Sequence, residues 1–298
     1  MSLLSSTQGT PERVWSLMAA LAASGGSLSR ADALGWLNPG FDDQGKIVQE
    51  NSDTFNQTLG AATSLGAAEV TNHHIQLSAG CTATSFSTFC DWVHDQLVPL
   101  SSGAKDAVVL ETYAWLVVES DRQRGLNWVC DWPASSFADA ADKALPEGAD
   151  DDGGRRINTT KLPAWRRWLS CLRLLVPMPM RMPAFPDVTP RGMREIERSN
   201  LPIGQEMSAA EFLTFLAGRL PYLDGGRMFS ETAKRIGHVV SPRQLSPVLS
   251  TAVRQLHDEG WIQVRVPGDA TDVFHLFPDP THNVKALHSV VLLSRDSA

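Results

Sequence analysis

The chain has 298 residues, a formal net charge of −7 at pH 7 and 43% hydrophobic residues. This length allows two or three domains with a sizeable core, and the composition is that of a globular protein rather than a disordered or fibrous one. The negative net charge argues against a protein that coats nucleic acid through its overall field, so any contact with DNA must be local.

The sequence indicates neither export nor a membrane span. No apolar run approaches the roughly 20 residues that a span requires, and the N-terminal stretch MSLLSSTQGTPERVW lacks the basic and apolar blocks of a secretory signal. The four cysteines are scattered without a CxxC pair, which predicts neither a zinc site nor a disulfide framework. We therefore expect a cytoplasmic protein with reduced thiols and without a metal or another cofactor.

Residues 1–80 predict three helices followed by a hairpin. Pro11 marks the start of the first helix, Ser29 caps the second, and the third covers about residues 52–65 and ends before Gly66. The stretch AAEVTNHHIQLS then alternates like a short hairpin. This order of elements is typical of a winged helix.

The same order recurs in residues 186–298. Ser208 caps a helix, a short helix covers about residues 228–236, and a third helix begins at Pro247 and ends at a glycine, like its counterpart near the N-terminus. Two short apolar strands around a turn are expected to follow within residues 261–277. A second winged-helix unit is therefore predicted.

Residues 81–185 predict a helical middle domain. Its helix at about residues 104–118 is more uniformly apolar than the helix before it and should be buried. The stretch NTTKLPAWRRWLSCLRLL places Trp165 and Trp168 on one helical face. An acidic loop lies near 147–154, and the proline-rich stretch VPMPMRMPAFPDVTP predicts an extended connection. The predicted fold is mainly α with small β-wings, in which two winged-helix units flank the helical middle domain.

The third helix and wing of a winged helix commonly contact DNA, but the same scaffold also docks proteins. In the second unit Arg254 and Gln255 are expected to reach outward from the third helix, and arginine and glutamine suit guanine and adenine edges. The candidate DNA contacts are Arg254, Gln255, Arg265, Arg243, Lys234 and Arg235. Acidic residues at positions 258, 259, 269 and 272 oppose them, so the sequence favours DNA contact and protein contact equally.

The third helix of the first unit, SDTFNQTLGAATSL, contains no lysine or arginine. Tight binding to a duplex requires cations that displace counterions from phosphates, so protein docking or simple core packing is favoured there. The candidate docking residues are Asn56, Gln57 and Thr63.

The most basic stretch lies in the middle of the chain and contains no acid. Its cations are Arg155, Arg156, Lys161, Arg166, Arg167 and Arg173. One interpretation is a phosphate or nucleic-acid patch. The favoured one is an amphipathic helix that packs through its tryptophans, with arginine stems along the seam and their charges near the acidic residues 150–152.

The motifs of common enzymes are absent, because the sequence has no GxGxxG, P-loop, HExxH or GxSxG pattern. His73 and His74 are expected to point to opposite sides of a strand, so they cannot share one metal. Trp128 and Trp132 are expected to pack at a helix junction rather than to stack on bases. We therefore predict a protein that is not an enzyme.

Three stretches, TPERVWSLMAALAASGG, NTTKLPAWRRWLSCLRLL and LSPVLSTAVRQLHDEGWI, occur in an order that resembles the DpdG-like proteins. These proteins are encoded in bacterial islands that place deazaguanine bases in DNA and restrict DNA lacking them. The resemblance implies a cytoplasmic accessory subunit of an anti-phage system that works beside helicase- and ATPase-type partners. It supplies no set of catalytic residues.

The sequence thus predicts a non-catalytic adaptor in a DNA modification and restriction complex. Its first unit would dock protein, and its second unit would touch duplex DNA or another subunit. One alternative is a stand-alone transcriptional regulator, which would need a dimer with two recognition helices about one DNA turn apart. Another is a purely protein-docking scaffold that makes no contact with DNA.

Overall fold

The computed structural model describes residues 2–37, 44, 52–148, 154–176 and 185–294. These residues are mainly helical with small antiparallel sheets, which confirms the predicted mainly-α class. None of the helices in the described ranges is both long enough and apolar enough to cross a membrane.

The helices are α1 (Pro11–Ala23), α2 (Arg30–Leu37), α3 (Asp53–Ser64), α4 (Phe86–Leu97), α5 (Val108–Arg122), α6 (Trp128–Asp131), α7 (Ala134–Ala144), α8 (Leu162–Cys171), α9 (Thr189–Glu197), α10 (Ala209–Arg219), α11 (Arg227–Arg235) and α12 (Pro247–Asp258). The strands are β1 (Ser27–Ser29), β2 (Ala68–Thr71), β3 (His74–Leu77), β4 (Leu175–Val176), β5 (Phe185–Pro186), β6 (Glu206–Ser208), β7 (Ile262–Arg265), β8 (Phe274–His275), β9 (Ala286–Leu287) and β10 (Ser289–Leu292).

The chain divides into two compact units. The first contains Met1–Val109 and Glu147–Leu172, and the second contains Leu110–Pro146 and Arg173–Ala298. The helices expected to form a middle domain are shared between them, because α4 and α8 belong to the first unit and α6 and α7 to the second. Much of the expected acidic loop and of the proline-rich connection lies outside the described residues.

Residues 11–77 form what we call the N-terminal module, in the order α1, β1, α2, α3, β2, β3. The strands make an antiparallel sheet in which β3 lies between β1 and β2. The predicted hairpin is confirmed: Asn72 and His73 have φ values of 46° and 69° and close a two-residue turn between β2 and β3. His73 therefore lies in the turn, and His74 begins the strand.

Residues 189–292, the C-terminal module, repeat this order with α9, β6, α10, α12, β7 and β10, and β10 is the central strand. Two sequence predictions are wrong here. The first helix of the repeat is α9, which packs on α12 as α1 packs on α3, whereas α10 was expected in that place. The partner of β7 is β10, outside residues 261–277, because the fully buried run SVVL suits a central strand better than the short β8.

The two modules match in register at the start of the second helix. Ser29 Oγ accepts a hydrogen bond from the amide of Asp32 (3.0 Å), and Ser208 Oγ accepts one from the amide of Glu211 (3.2 Å). The next amide after each serine donates to the carbonyl of a histidine, His73 or His288, at 2.8 Å in both modules. Each serine thus ends a strand and caps a helix at the same place in the repeat.

The third helices end in the same way. Gly66 and Gly260 have φ values of 69° and 71°, a region that favours glycine. The amide that follows each glycine donates across the helix end, from Ala67 to the carbonyl of Ala62 and from Trp261 to that of Leu256, at 2.9 Å in both. This is the Schellman arrangement, and it directs each chain into the first hairpin strand.

Among the residues that the structure describes, two insertions distinguish the C-terminal module from the N-terminal one. Helix α11 lies between α10 and α12, and residues 266–288 replace the two-residue turn of the first hairpin. The second insertion contains the small ladder of β8 and β9. Because the second insertion packs beside α12, it limits the surface of α12 that is open to other molecules.

The core of the second unit includes the expected buried helix and tryptophan junction. Residues 110–118, which form most of α5, are buried, as predicted for the helix expected at about residues 104–118. The ring of Trp128 lies 5.6 Å from that of Trp115 and 4.8 Å from that of Trp132, both edge-on. The expected packing role of Trp128 and Trp132 is therefore confirmed.

Candidate functional site

Helix α12 occupies the place of the third helix, for which the sequence favours contact with DNA and contact with protein equally. Eight of its twelve residues are buried. A helix that inserts into a major groove must leave its outer face open, whereas the open positions here include Asp258 and the half-buried Gln255 and His257. The helix therefore presents no exposed lysine or arginine.

The prediction that Arg254 reaches outward is wrong. Its helical position is about 140° from that of the core residue Leu249, yet the residue is only 6% exposed. Its Nε donates to the carbonyl of Val284 (3.0 Å) and its Nη2 to that of Phe277 (2.7 Å). Arg254 is buried because residues 277–284, which belong to the insertion at residues 266–288, lie over this face of α12. We call these residues the cover segment.

Further contacts fix the cover segment on α12. Ser250 Oγ accepts a hydrogen bond from the amide of Phe277 (2.7 Å), and the side chain of His282 contacts the Asp258 carboxylate (2.9 Å). Burial lowers the pKa of Arg254, but its guanidinium is a cation near neutral pH because arginine is not deprotonated in proteins. Arg254 is thus a structural cation that satisfies two carbonyls.

Gln255 is also engaged within the module. Its Oε1 accepts a hydrogen bond from Oγ1 of Thr189, the buried first residue of α9. The contact joins the first and third helices of the module. A glutamine held in this way does not project toward a base edge.

Arg265, on β7, and Arg243, in the loop between α11 and α12, are exposed but paired. Arg265 Nη1 lies 2.8 Å from a carboxylate oxygen of Glu206, and Arg243 forms an ion pair with Asp272. Hydrogen bonds from Ser289 and from Arg265 lower the pKa of Glu206, so this carboxylate is charged at neutral pH. Each guanidinium is therefore accompanied by a negative charge.

Lys234 and Arg235 lie on the inserted helix α11 rather than on α12. Both side chains are exposed, and Arg235 donates to the carbonyl of Ala144 at 3.1 Å. Lys234 forms no ion pair with any residue in the described ranges. The six candidate DNA contacts are therefore distributed over α11, α12, the loop between these helices and strand β7.

Residues 7–9, which we call the N-terminal segment, precede the N-terminal module and lie over the outer face of α3. The amide of Gln8 donates to Gln57 Oε1 at 2.9 Å, and Gly9 is so close that a Cβ atom there would lie 2.6 Å from the carbonyl oxygen of Gln57. Asn56 accepts a hydrogen bond from Arg30 (2.6 Å). Among the three candidate docking residues, Thr63 has the exposed side chain.

The basic stretch does not form a single exposed patch. Arg156 and Lys161 are buried, and they donate to the carbonyls of Ala104 (2.8 Å) and Arg155 (2.5 Å). Arg155 and Arg167 are exposed, Arg166 and Arg173 are half-buried, and burial lowers the pKa of Arg166. The expected pairing with residues 150–152 lies outside the described residues.

The predicted tryptophan face of α8 is confirmed. Trp165 and Trp168 are buried, and Trp165 Nε1 donates to the carbonyl of Val109 at 3.0 Å. The face that α8 buries is therefore the aromatic one, as in the amphipathic-helix interpretation.

A buried charge cluster on α9 was not predicted from the sequence. Arg191 and Glu195 are both fully buried, and the Glu195 carboxylate accepts hydrogen bonds from Arg191, from Arg198 (3.2 Å) and from Arg219 (2.6 Å). The four-residue spacing of Arg191 and Glu195 could have indicated a helical ion pair. The cluster is not predicted because the extended connection was expected to continue to Pro190 and no helix was predicted directly after it.

A cavity of about 600 Å³ between α10, α11 and residues 238–245 was also missed. Its walls are mostly apolar, with Leu213, Phe229 and Leu245 among them. We call it the α10–α11 cavity. The cavity is formed by the tertiary packing of several elements, so no local sequence pattern predicts it.

Comparison with known proteins gives one family. The profile of the DpdG-like family matches residues 1–270. No curated protein and no solved structure matches the chain at a significant level. Because the match covers most of its length, the chain belongs to the DpdG-like family.

Proposed function

We propose that the protein is a non-catalytic adaptor that acts through protein contacts, and that its two modules are winged helices whose third helices do not read DNA. The family supports involvement in a deazaguanine modification system, where helicase- and ATPase-type subunits are the partners that we infer. Helix order and sheet register support the winged-helix assignment, since β1-β3-β2 and β6-β10-β7 repeat one topology.

One observation carries the proposal: the outer face of α12 is covered. Arg254, the strongest candidate for base contact, is bound to the carbonyls of Phe277 and Val284. On α3, the N-terminal segment lies over Gln57, and the helix has no cation of its own. A covered third helix cannot enter a major groove without losing these contacts.

The charges support the same conclusion. Sequence-independent affinity for DNA arises from cations that displace counterions from phosphates. Arg243 and Arg265 are each paired with a carboxylate, and the chain carries a net charge of −7. These pairs lower the local positive potential that a phosphate would meet.

A titration of a fluorescent duplex tests this proposal. At about 50 mM salt we expect no saturable binding at micromolar protein, and we expect Arg243→Glu and Arg265→Glu to behave like the wild type. The proposal is refuted by binding that weakens by about a thousandfold between about 50 and 200 mM salt and is lost in either variant.

A further inference from the structure

The α10–α11 cavity is a feature of the C-terminal module. Its walls come from α10, from the inserted helix α11, from residues 238–245 and from Phe274 of β8. Both α11 and β8 belong to the insertions that separate this module from the N-terminal one. The cavity is therefore an addition to the shared scaffold.

Two titratable side chains of the lining, Asp224 and His238, already have partners within the protein. Both carboxylate oxygens of Asp224 accept hydrogen bonds from Ser246, from its amide and its hydroxyl, at 2.6 Å each. His238 Nε2 lies 2.7 Å from a carboxylate oxygen of Asp121. A small polar ligand is recognised through a few convergent polar groups. These groups instead hold the N-terminus of α12 and the loop after α11.

The pKa of Asp224 depends on burial as well as on these hydrogen bonds. Burial raises the pKa of Asp224 to about 6, against the lowering effect of the hydrogen bonds from Ser246. The carboxylate of Asp224 thus accepts hydrogen bonds from Ser246, the N-cap residue of α12. Ser246 Oγ in turn accepts a hydrogen bond from the amide of Leu249 (3.3 Å). What the cavity offers to an occupant is mainly its apolar wall.

Two features at the edge of the cavity indicate an occupant that extends beyond it. Val239 is 89% exposed beside the lining residue Val240, so apolar surface continues outside the cavity. Lys234 lines the cavity and is exposed, and it forms no ion pair with a described residue, whereas the nearby Arg243 is paired with Asp272. An occupant with apolar groups and a neighbouring negative charge would complement both features.

We propose that the α10–α11 cavity binds a segment of a partner protein that inserts apolar side chains and places an Asp or Glu against Lys234. A volume of about 600 Å³ lies within the range that accepts drug-sized ligands, which leaves room for bulky side chains. The continuation of apolar surface over Val239 favours a peptide over a compact small molecule. This inference rests on the proposed adaptor function and assigns it a contact surface.

Selection from a phage-displayed library of random peptides of about 12 residues tests the inference. The purified full chain is the bait, and enriched peptides are resynthesised and titrated. We expect them to share bulky apolar residues next to an Asp or Glu. Binding should fall at least tenfold with Ser230→Trp or Thr214→Trp, because both exposed side chains line the cavity and a tryptophan there would fill it.

Charge reversal provides a matched pair of variants. Lys234→Glu should weaken the same peptides at least tenfold, while Lys143→Glu, at an exposed lysine of α7, should leave them unchanged. The thermal unfolding of each variant reports whether it folds.

The inference is overturned if no peptide is enriched, or if the selected peptides bind folded Ser230→Trp and Thr214→Trp as they bind the wild type. DNA binding by the wild type would instead overturn the proposed function, so the two failures are distinguishable.

Discussion

Replacing Glu195 by alanine is expected to destabilise the protein by about 3–5 kcal/mol, the largest effect of any single substitution considered. The Glu195 carboxylate is fully buried and accepts hydrogen bonds from three arginines: Arg191, Arg198 and Arg219. Its removal leaves the buried guanidinium of Arg191 without this counter-charge. Urea unfolding followed by far-ultraviolet circular dichroism measures the loss.

A double substitution separates the charge from the packing. Arg191→Met/Glu195→Met removes the fully buried pair together, while Arg198 and Arg219 keep partial access to water. We expect the double variant to be more stable than Glu195→Ala, because neither buried charge remains alone. A Glu195→Ala variant as stable as the wild type would show that the cluster contributes little.

Replacing Arg254 by alanine is expected to cost about 2–3 kcal/mol. Two hydrogen bonds from a charged donor are lost, and the carbonyls of Phe277 and Val284 lose their partner. Arg254→Lys should be intermediate, since one ammonium cannot reproduce the guanidinium fork. Thermal or urea unfolding again gives the measurement.

Arg265→Ala is the matched control, because Arg265 is an exposed arginine paired with a carboxylate at the surface. Such pairs contribute about 0–1 kcal/mol, so this variant should unfold close to the wild type. Equal stability of Arg254→Ala and Arg265→Ala would mean that the cover segment does not depend on Arg254.

Local signals in the sequence predicted much of each module. The serine caps at Ser29 and Ser208, the glycine stops at Gly66 and Gly260 and the first hairpin all depend on contacts between near neighbours, and all are present. Such features are encoded within a few residues and need no knowledge of the rest of the chain.

The errors arose where distant segments meet or where one residue allows two structures. Pro190 was read as part of an extended connection, but it stands in the first turn of α9, a position that proline also favours. Strand β10 begins 24 positions after β7 ends, so its pairing has no local signal.

Arg254 in the candidate site shows most clearly that contacts between distant segments cannot be predicted from local sequence patterns. Helical periodicity places Arg254 on a different side of α12 from the core residue Leu249, and this position suggested exposure to solvent. It could not indicate that the cover segment returns to that face and supplies two carbonyls. Whether an outward side chain meets solvent or a returning segment is a tertiary property.

Native-state hydrogen exchange at the amide of Phe277 tests most directly whether α12 is covered. This amide donates to Ser250 Oγ on α12, at 2.7 Å. If α12 is covered, this amide exchanges far more slowly than an unprotected amide, at a rate close to that of the buried central strand β10. Exchange at the rate of an unstructured peptide would show that the cover segment leaves α12 open, and would contradict the claim that this helix is closed to DNA.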